Sequence, residues 1–257
     1  MSYAKFCTTR NIHIIQRVLI SGVALMSMFT ANAVSAGAAT FNTTNIQYLV
    51  GNNYELGDKS RSIITLEHVN AWKYGDNFFF VDIENPNRTG ASTQTGLYAE
   101  ISPRFSLGAL TGQPLSFGPV KDVLITTTLE AGNGFHNNLY GIAVDLNILP
   151  VFQINYYLRN QIGAGTDLGN QLTLVWLAPF DAGPVSMVFE GFFDYAWGLS
   201  PSKDNIITGP RLLADVGKLW GAPGTLQAGI EYQVWRNKFG IDGVDEDVPQ
   251  LMVKWIW

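Results

Sequence analysis

The chain has 257 residues, is 47% hydrophobic but only 14% charged, and carries a net charge of −5. That acidic balance, with no Lys/Arg block after the N-terminal segment, argues against a nucleic-acid partner. Mean hydropathy is +0.09, too low for a membrane protein built of helices that each need about 20 apolar residues, while the charge lies well under the roughly 25% of a soluble domain.

The N-terminus reads as a secretory signal. Lys5, Arg10 and Arg17 give a positive start, "VLISGVALMSMF" an apolar core, and "ANAVSA" small residues at cleavage spacing. Residues 1–36 are expected to be removed by cutting after Ala36, with Ala33 and a retained helical anchor as the alternatives. The single cysteine, Cys7, lies in the positive segment, so the mature domain would have no disulfide.

From Phe41 to Trp257 the polarity alternates in stretches that turn-rich segments separate. The pattern predicts twelve strands, near 41–50, 60–70, 77–85, 96–106, 121–131, 138–148, 151–160, 170–180, 184–196, 205–219, 224–237 and 248–257. Each has an apolar parity and a polar one. Leu97, Ala99, Ile101 and Phe105 oppose Glu100, Ser102 and Arg104; Phe152, Ile154, Tyr156 and Leu158 oppose Gln153, Asn155, Tyr157 and Arg159. The stretch at 60–70 is the least clean, because Ile63 and Val69 share a side with Glu67. The final "VPQLMVKWIW" puts Leu251, Val253, Trp255 and Trp257 on one side and Gln250, Met252 and Lys254 on the other.

A soluble sandwich would alternate too. Here the polar faces carry a charge in strand after strand: Glu67, Asp82, Glu100, Glu130, Asp145, Glu190, Asp215 and Glu231. The apolar faces are aromatic towards their ends, as at membrane interfaces, and the strands are long enough to cross a bilayer at a tilt. Alternate connections are short, such as "LP" at 149–150, "DAG" at 181–183 and "GAPG" at 221–224, while the others, "GNGFHNN" and "QIGAGTDLG" among them, are longer. The stretch from Gly108 to Val120 is long for the short-turn side. In hydrocarbon a sheet must close on itself. The expectation is an all-β, closed, twelve-stranded antiparallel transmembrane barrel over residues 41–257, its last strand paired with its first and its charges turned to the lumen. A midplane Arg or Lys on the lipid face would cost about 2–4 kcal/mol, Asp or Glu less.

"LEHVNAWKYGDNFFFVDIEN", followed by "GLYAEISPRFSLGALTG", "PLSFGPVKDVL" and "EGFFDYAW", resembles the nucleoside-specific channel-forming proteins of Gram-negative outer membranes, the Tsx family, within its OmpK-like branch. The resemblance covers essentially the whole mature chain. It implies a monomeric barrel in the outer membrane that passes nucleosides and deoxynucleosides; some members also serve as phage or colicin receptors.

A nucleoside offers a flat base and a hydroxyl-rich sugar. A selective lumen would need aromatic faces for stacking, worth about 1–3 kcal/mol per base elsewhere, with carboxyl and amide groups for the sugar and Arg or Asn for base edges. Inward parity predicts a channel lining of Phe78, Phe80, Asp82, Glu84, Tyr98, Glu100, Arg104, Tyr157, Arg159, Glu190, Asp194 and Glu231, with Phe192 and Trp235 on the same faces. Two bland alternatives stand beside this: the aromatics fill a narrow periplasmic end, and the charges form ion pairs that brace the barrel.

No cofactor or metal is expected. Only His68 and His136 follow the signal, and "DGVDEDV" lacks EF-hand spacing. A lipid hydrolase would want a serine beside a base, and neither histidine stands in an obvious pairing with one. A general small-solute porin, or a surface receptor or adhesin that only presents loops, remains open. Expected contacts are nucleosides, the bilayer and lipopolysaccharide, with phage at the outer loops.

Overall fold

A computed structural model describes residues 39–86 and 96–257. The signal segment and the tip of the connection after residue 86 lie outside the described residues. The strands are β1 (Phe41–Asn52), β2 (Ser60–Trp72), β3 (Gly75–Glu84), β4 (Gly96–Ser106), β5 (Val120–Gly132), β6 (Phe135–Leu146), β7 (Val151–Gln161), β8 (Gly169–Ala182), β9 (Val185–Trp197), β10 (Asn205–Thr208), β11 (Arg211–Asp215), β12 (Leu226–Arg236) and β13 (Glu246–Ile256). All form one antiparallel sheet in sequence order, and β13 closes it on β1, with Asn45 opposite Ile256 and Gly51 opposite Gln250.

The stretch expected as one strand over 205–219 is two. β10 and β11 both pair with β9 and with β12, so they are the halves of one stave. Gly209 and Pro210 divide them; proline has no N–H to give a ladder. Register survives the break: Thr208 faces Val234 and Arg211 faces Glu231. Gly209 N still donates to Phe192 O at 3.2 Å, and Pro210 O accepts from Tyr232 N at 2.9 Å. The thirteen described strands therefore make a barrel of twelve staves.

Two connections differ from expectation. "GNGFHNN" is no loop: β5 and β6 meet through Asn133 and Gly134 alone, and Gly134 at φ 88 supplies the left-handed turn residue. The long stretch after Ser106 holds one turn of helix, α1 (Leu107–Thr111), which Ser106 caps by accepting from Ala109 N at 3.1 Å. It is too short for a helical period to show.

The outward faces are a band of apolar side chains, with Leu251 69% and Ile142 58% exposed. Aromatics mark both rims. Tyr195 stacks on Trp197 at 5.0 Å near the long-loop end, and Trp72 meets Tyr74 and Phe105 edge-on near the end that carries the short turns. That arrangement is a lipid-facing belt between two interfaces.

Candidate functional site in the lumen

Side chains from strands that are not neighbours can meet only across the inside of a closed sheet. Arg104 on β4 donates to Asp76 on β3 at 2.8 and 2.6 Å, and also to Asp145 on β6 at 2.8 and 3.2 Å. Arg159 on β7 grips Glu130 on β5 with two bonds of 2.6 Å, and Glu130 also accepts from Asn137. Arg211 on β11 lies 2.5 Å from Glu231, 3.6 Å from Glu190 and 3.9 Å from Glu67, and Lys254 donates to Glu190 at 2.7 Å. These three clusters tie the wall together from within.

Uncharged groups extend them. Gly141 faces both Thr126 and Tyr157 and has no side chain to stand between them, so Tyr157 reaches over it to share a 2.9 Å hydrogen bond with Thr126. A Cβ there would run into Tyr156 O. Leu49, Ile63, Leu213 and Met252 form a buried apolar cluster on the lumen side near the seam. Ile63 thus explains the untidy parity of its strand: it narrows the lumen instead of meeting lipid.

Asp82, Glu100 and Asp194 are different. Among the described residues, no Lys or Arg nitrogen stands within ion-pair distance of any of them. Hydroxyls hold them: Thr65 Oγ1 donates to Asp82 at 2.5 Å, Thr173 Oγ1 to Asp194 at 2.5 Å, and the Tyr98 hydroxyl to Glu100. Beside them runs an aromatic ladder. Ring centroids are 5.6 Å apart from Phe78 to Phe80, 5.6 Å from Phe80 to Tyr98, and 6.1 Å from Tyr98 to Phe135, the last pair stacked. The rungs climb from the middle of β3 to Phe135 at the long-loop end of β6, so they do not merely fill the short-turn end. Phe78, Phe80, Asp82, Tyr98, Glu100 and Asp194 are half-buried and Phe135 is exposed, whereas Arg104, Glu130 and Leu213 are nearly sealed. Phe192 and Trp235 are also half-buried.

The expected lining residues are thus brought onto one surface but divide in two. Arg104, Arg159, Glu190 and Glu231 sit in the braces, as does Tyr157 by hydrogen bonding; Glu84 pairs with Arg61 at 3.3 Å near the long-loop rim. Phe78, Phe80, Asp82, Tyr98, Glu100 and Asp194 sit on the inward parity outside these braces. Asp215 is not in the lumen network: it accepts from Lys218 N and Gly224 N and holds the β11–β12 connection. Sequence reading missed Asp76 and Glu246, just outside the strand limits assigned to them, and Arg211, next to the proline. Gln47 Oε1 and Arg159 Nε are buried and find no hydrogen-bond partner among the described residues.

At the long-loop mouth, Tyr54 from the β1–β2 connection is 1% exposed and donates to Gln250 Oε1 at 2.7 Å. Burial pushes its phenol well above the ordinary tyrosine value, with the Arg61 guanidinium opposing, so it stays a neutral donor. Lys238, from the β12–β13 connection, is pulled below the ordinary lysine value by burial, with Glu246 opposing.

A family model described as "Nucleoside-specific channel-forming protein, Tsx" matches residues 36–252. An outer membrane protein OmpK of Vibrio parahaemolyticus is 25% identical over 183 residues, covering 66% of this chain and 68% of that protein. A second OmpK, from V. parahaemolyticus serotype O3:K6 (strain RIMD 2210633), is 26% identical over 206 residues, covering 74% and 76%. Among solved structures, the KdgM porin superposes with a TM-score of 0.50 at 12% identity, covering 82% of this chain and 98% of that one, which bears on the fold alone. With its lipid-facing belt and polar lumen, the chain belongs to the family of nucleoside-specific channel-forming proteins, Tsx, and is an outer-membrane channel protein.

Proposed function

We propose that the barrel gives passive, selective diffusion to nucleosides and deoxynucleosides. The observation that carries this reading is the ladder Phe78–Phe80–Tyr98 running beside Asp82, Glu100 and Asp194, with which no Lys or Arg among the described residues forms an ion pair. A base stacks on rings spaced as these are, and can pass from one to the next. Ribose hydroxyls donate to the carboxyl groups. Contacts of this kind are individually weak, as a channel requires: a solute must leave as readily as it enters. Tyr157, Arg104, Glu190 and Glu231 hold the shape of the slot, and Glu84 lines its rim. The excess of lumen acids disfavours anionic solutes. One closed chain is the working unit, set in the bilayer with its long loops towards lipopolysaccharide.

The test is current through the purified chain in planar bilayers. Uridine, thymidine and adenosine should block it saturably, while glucose and glycine at equal concentration should not. Equal passage of all five in liposome swelling, without block, would establish a general small-solute porin instead.

A further inference from the structure

We propose that Lys238 is a specificity-determining residue of this channel: carried inward by the β12–β13 connection, its ammonium narrows the long-loop mouth and cancels the charge of Glu246 there. The proposal rests on the channel reading above. Asn237 at φ 48 and Phe239 at φ 58, two non-glycine residues in the left-handed region, flank the lysine. Such conformations persist only where the surroundings hold them. What holds them is an inserted side chain that is 3% exposed.

The Lys238 ammonium donates to Glu246 Oε2 at 2.7 Å. It lies 4.4 Å from the Trp235 ring centroid, 5.3 Å from that of Phe239 and 6.0 Å from that of Tyr54. Trp235 and Glu246 are register partners on the lumen face. Glu246 also accepts from Gln233 Nε2 at 3.1 Å and from Glu55 N of the β1–β2 connection at 2.9 Å. The β9–β10 connection joins in: Lys203 N donates to Gly240 O and Asn237 Nδ2 to Asp204 O, both at 2.9 Å. Three connections are thus knitted over one side of the entrance, and Lys238 is the pin.

Stability alone does not call for a lysine here. A buried ion pair replaced as a whole by apolar groups of similar volume is often neutral or better. What the ammonium adds is charge at the point where a solute enters an acid-lined passage. Without it, Glu246 would stand open and the mouth would favour cations more strongly.

The test compares wild type, Lys238→Met and Lys238→Arg as full chains in planar bilayers, reading single-channel conductance and the reversal potential across a KCl gradient. Folding is checked by heat-modifiable migration in detergent gels. Lys238→Met should raise conductance about twofold and the cation-to-anion permeability ratio severalfold, while Lys238→Arg stays near wild type. A folded Lys238→Met with wild-type conductance and reversal potential overturns the proposal alone. A wild type that passes no current overturns the channel reading and the proposal with it. Should Lys238→Met fail to fold, the double variant Lys238→Ala, Glu246→Gln removes both charges and the bulk of the lysine from the mouth. It should conduct more than wild type at an unchanged reversal potential, and wild-type conductance there overturns the proposal.

Discussion

Two sets of carboxyl groups share this lumen and are treated in opposite ways. Asp76, Asp145, Glu130, Glu190 and Glu231 are all gripped by Arg104, Arg159, Arg211 or Lys254. Asp82, Glu100 and Asp194 are held by hydroxyls, and among the described residues no Lys or Arg stands within ion-pair distance of them. Both sets sit on inward parity, so parity does not separate them. What separates them is whether a cation on another strand reaches across. The gripped set spends its charge on holding staves together; in the proposed channel the other set offers its acceptor capacity to a solute.

That contrast can be broken from the braced side first. Arg211→Ala would leave Glu67, Glu190 and Glu231 with Lys254 as their remaining cation. Removing one partner of a buried pair costs about 3–5 kcal/mol, and this variant should reach the top of that range in urea unfolding in detergent. A loss under about 1 kcal/mol, the scale of an exposed pair, would show that the brace is idle. Arg104→Ala should follow slightly below, because it strands only Asp76 and Asp145. On the open side the effect should move from stability to solute. Glu100→Gln and Asp194→Asn should unfold within about 1 kcal/mol of wild type, since an amide oxygen still accepts the same hydroxyl. Their uridine half-block concentration should rise roughly tenfold, or ~1.4 kcal/mol. Phe80→Leu, which keeps bulk but loses the ring face, should raise it by roughly fivefold, near the lower end of the ~1–3 kcal/mol of a stacked base. If stability falls in these three as far as in Arg211→Ala, the two sets are one.

Much of the fold was legible because a membrane barrel writes its two solvents into alternate residues. Leu97 to Phe105 against Glu100 to Arg104 needs no partner strand to be read. The Gly209–Pro210 break was in the sequence as well, as a turn-forming pair inside a strand, but the apolar residues around it carried the reading over the gap. The pairing of Asn133–Gly134 into a tight hairpin was masked by the polar Asn137 and Asn138, which look like loop but sit on β6. The split among the acids was not legible. Which residues face one another across a lumen depends on the stagger at closure, and parity says nothing of stagger. Lys254 was visible as the inward member of its strand; that it reaches Glu190 on β9 was not. Lys238 lies in a connection without periodicity, and only its backbone conformation aims it inward.

The seam joins Asn45 to Ile256 and Gly51 to Gln250, so the two ends of the domain are sequential strangers and spatial neighbours. Ligating them is the costliest loop to draw shut and among the slowest kinds of contact to make. Until β13 arrives, β1 and β12 are both raw edges in a medium that tolerates none. Assembly of such a domain is therefore all or nothing: a ribosome can release its strands one by one, but the finished wall comes into being only when its final stave is set.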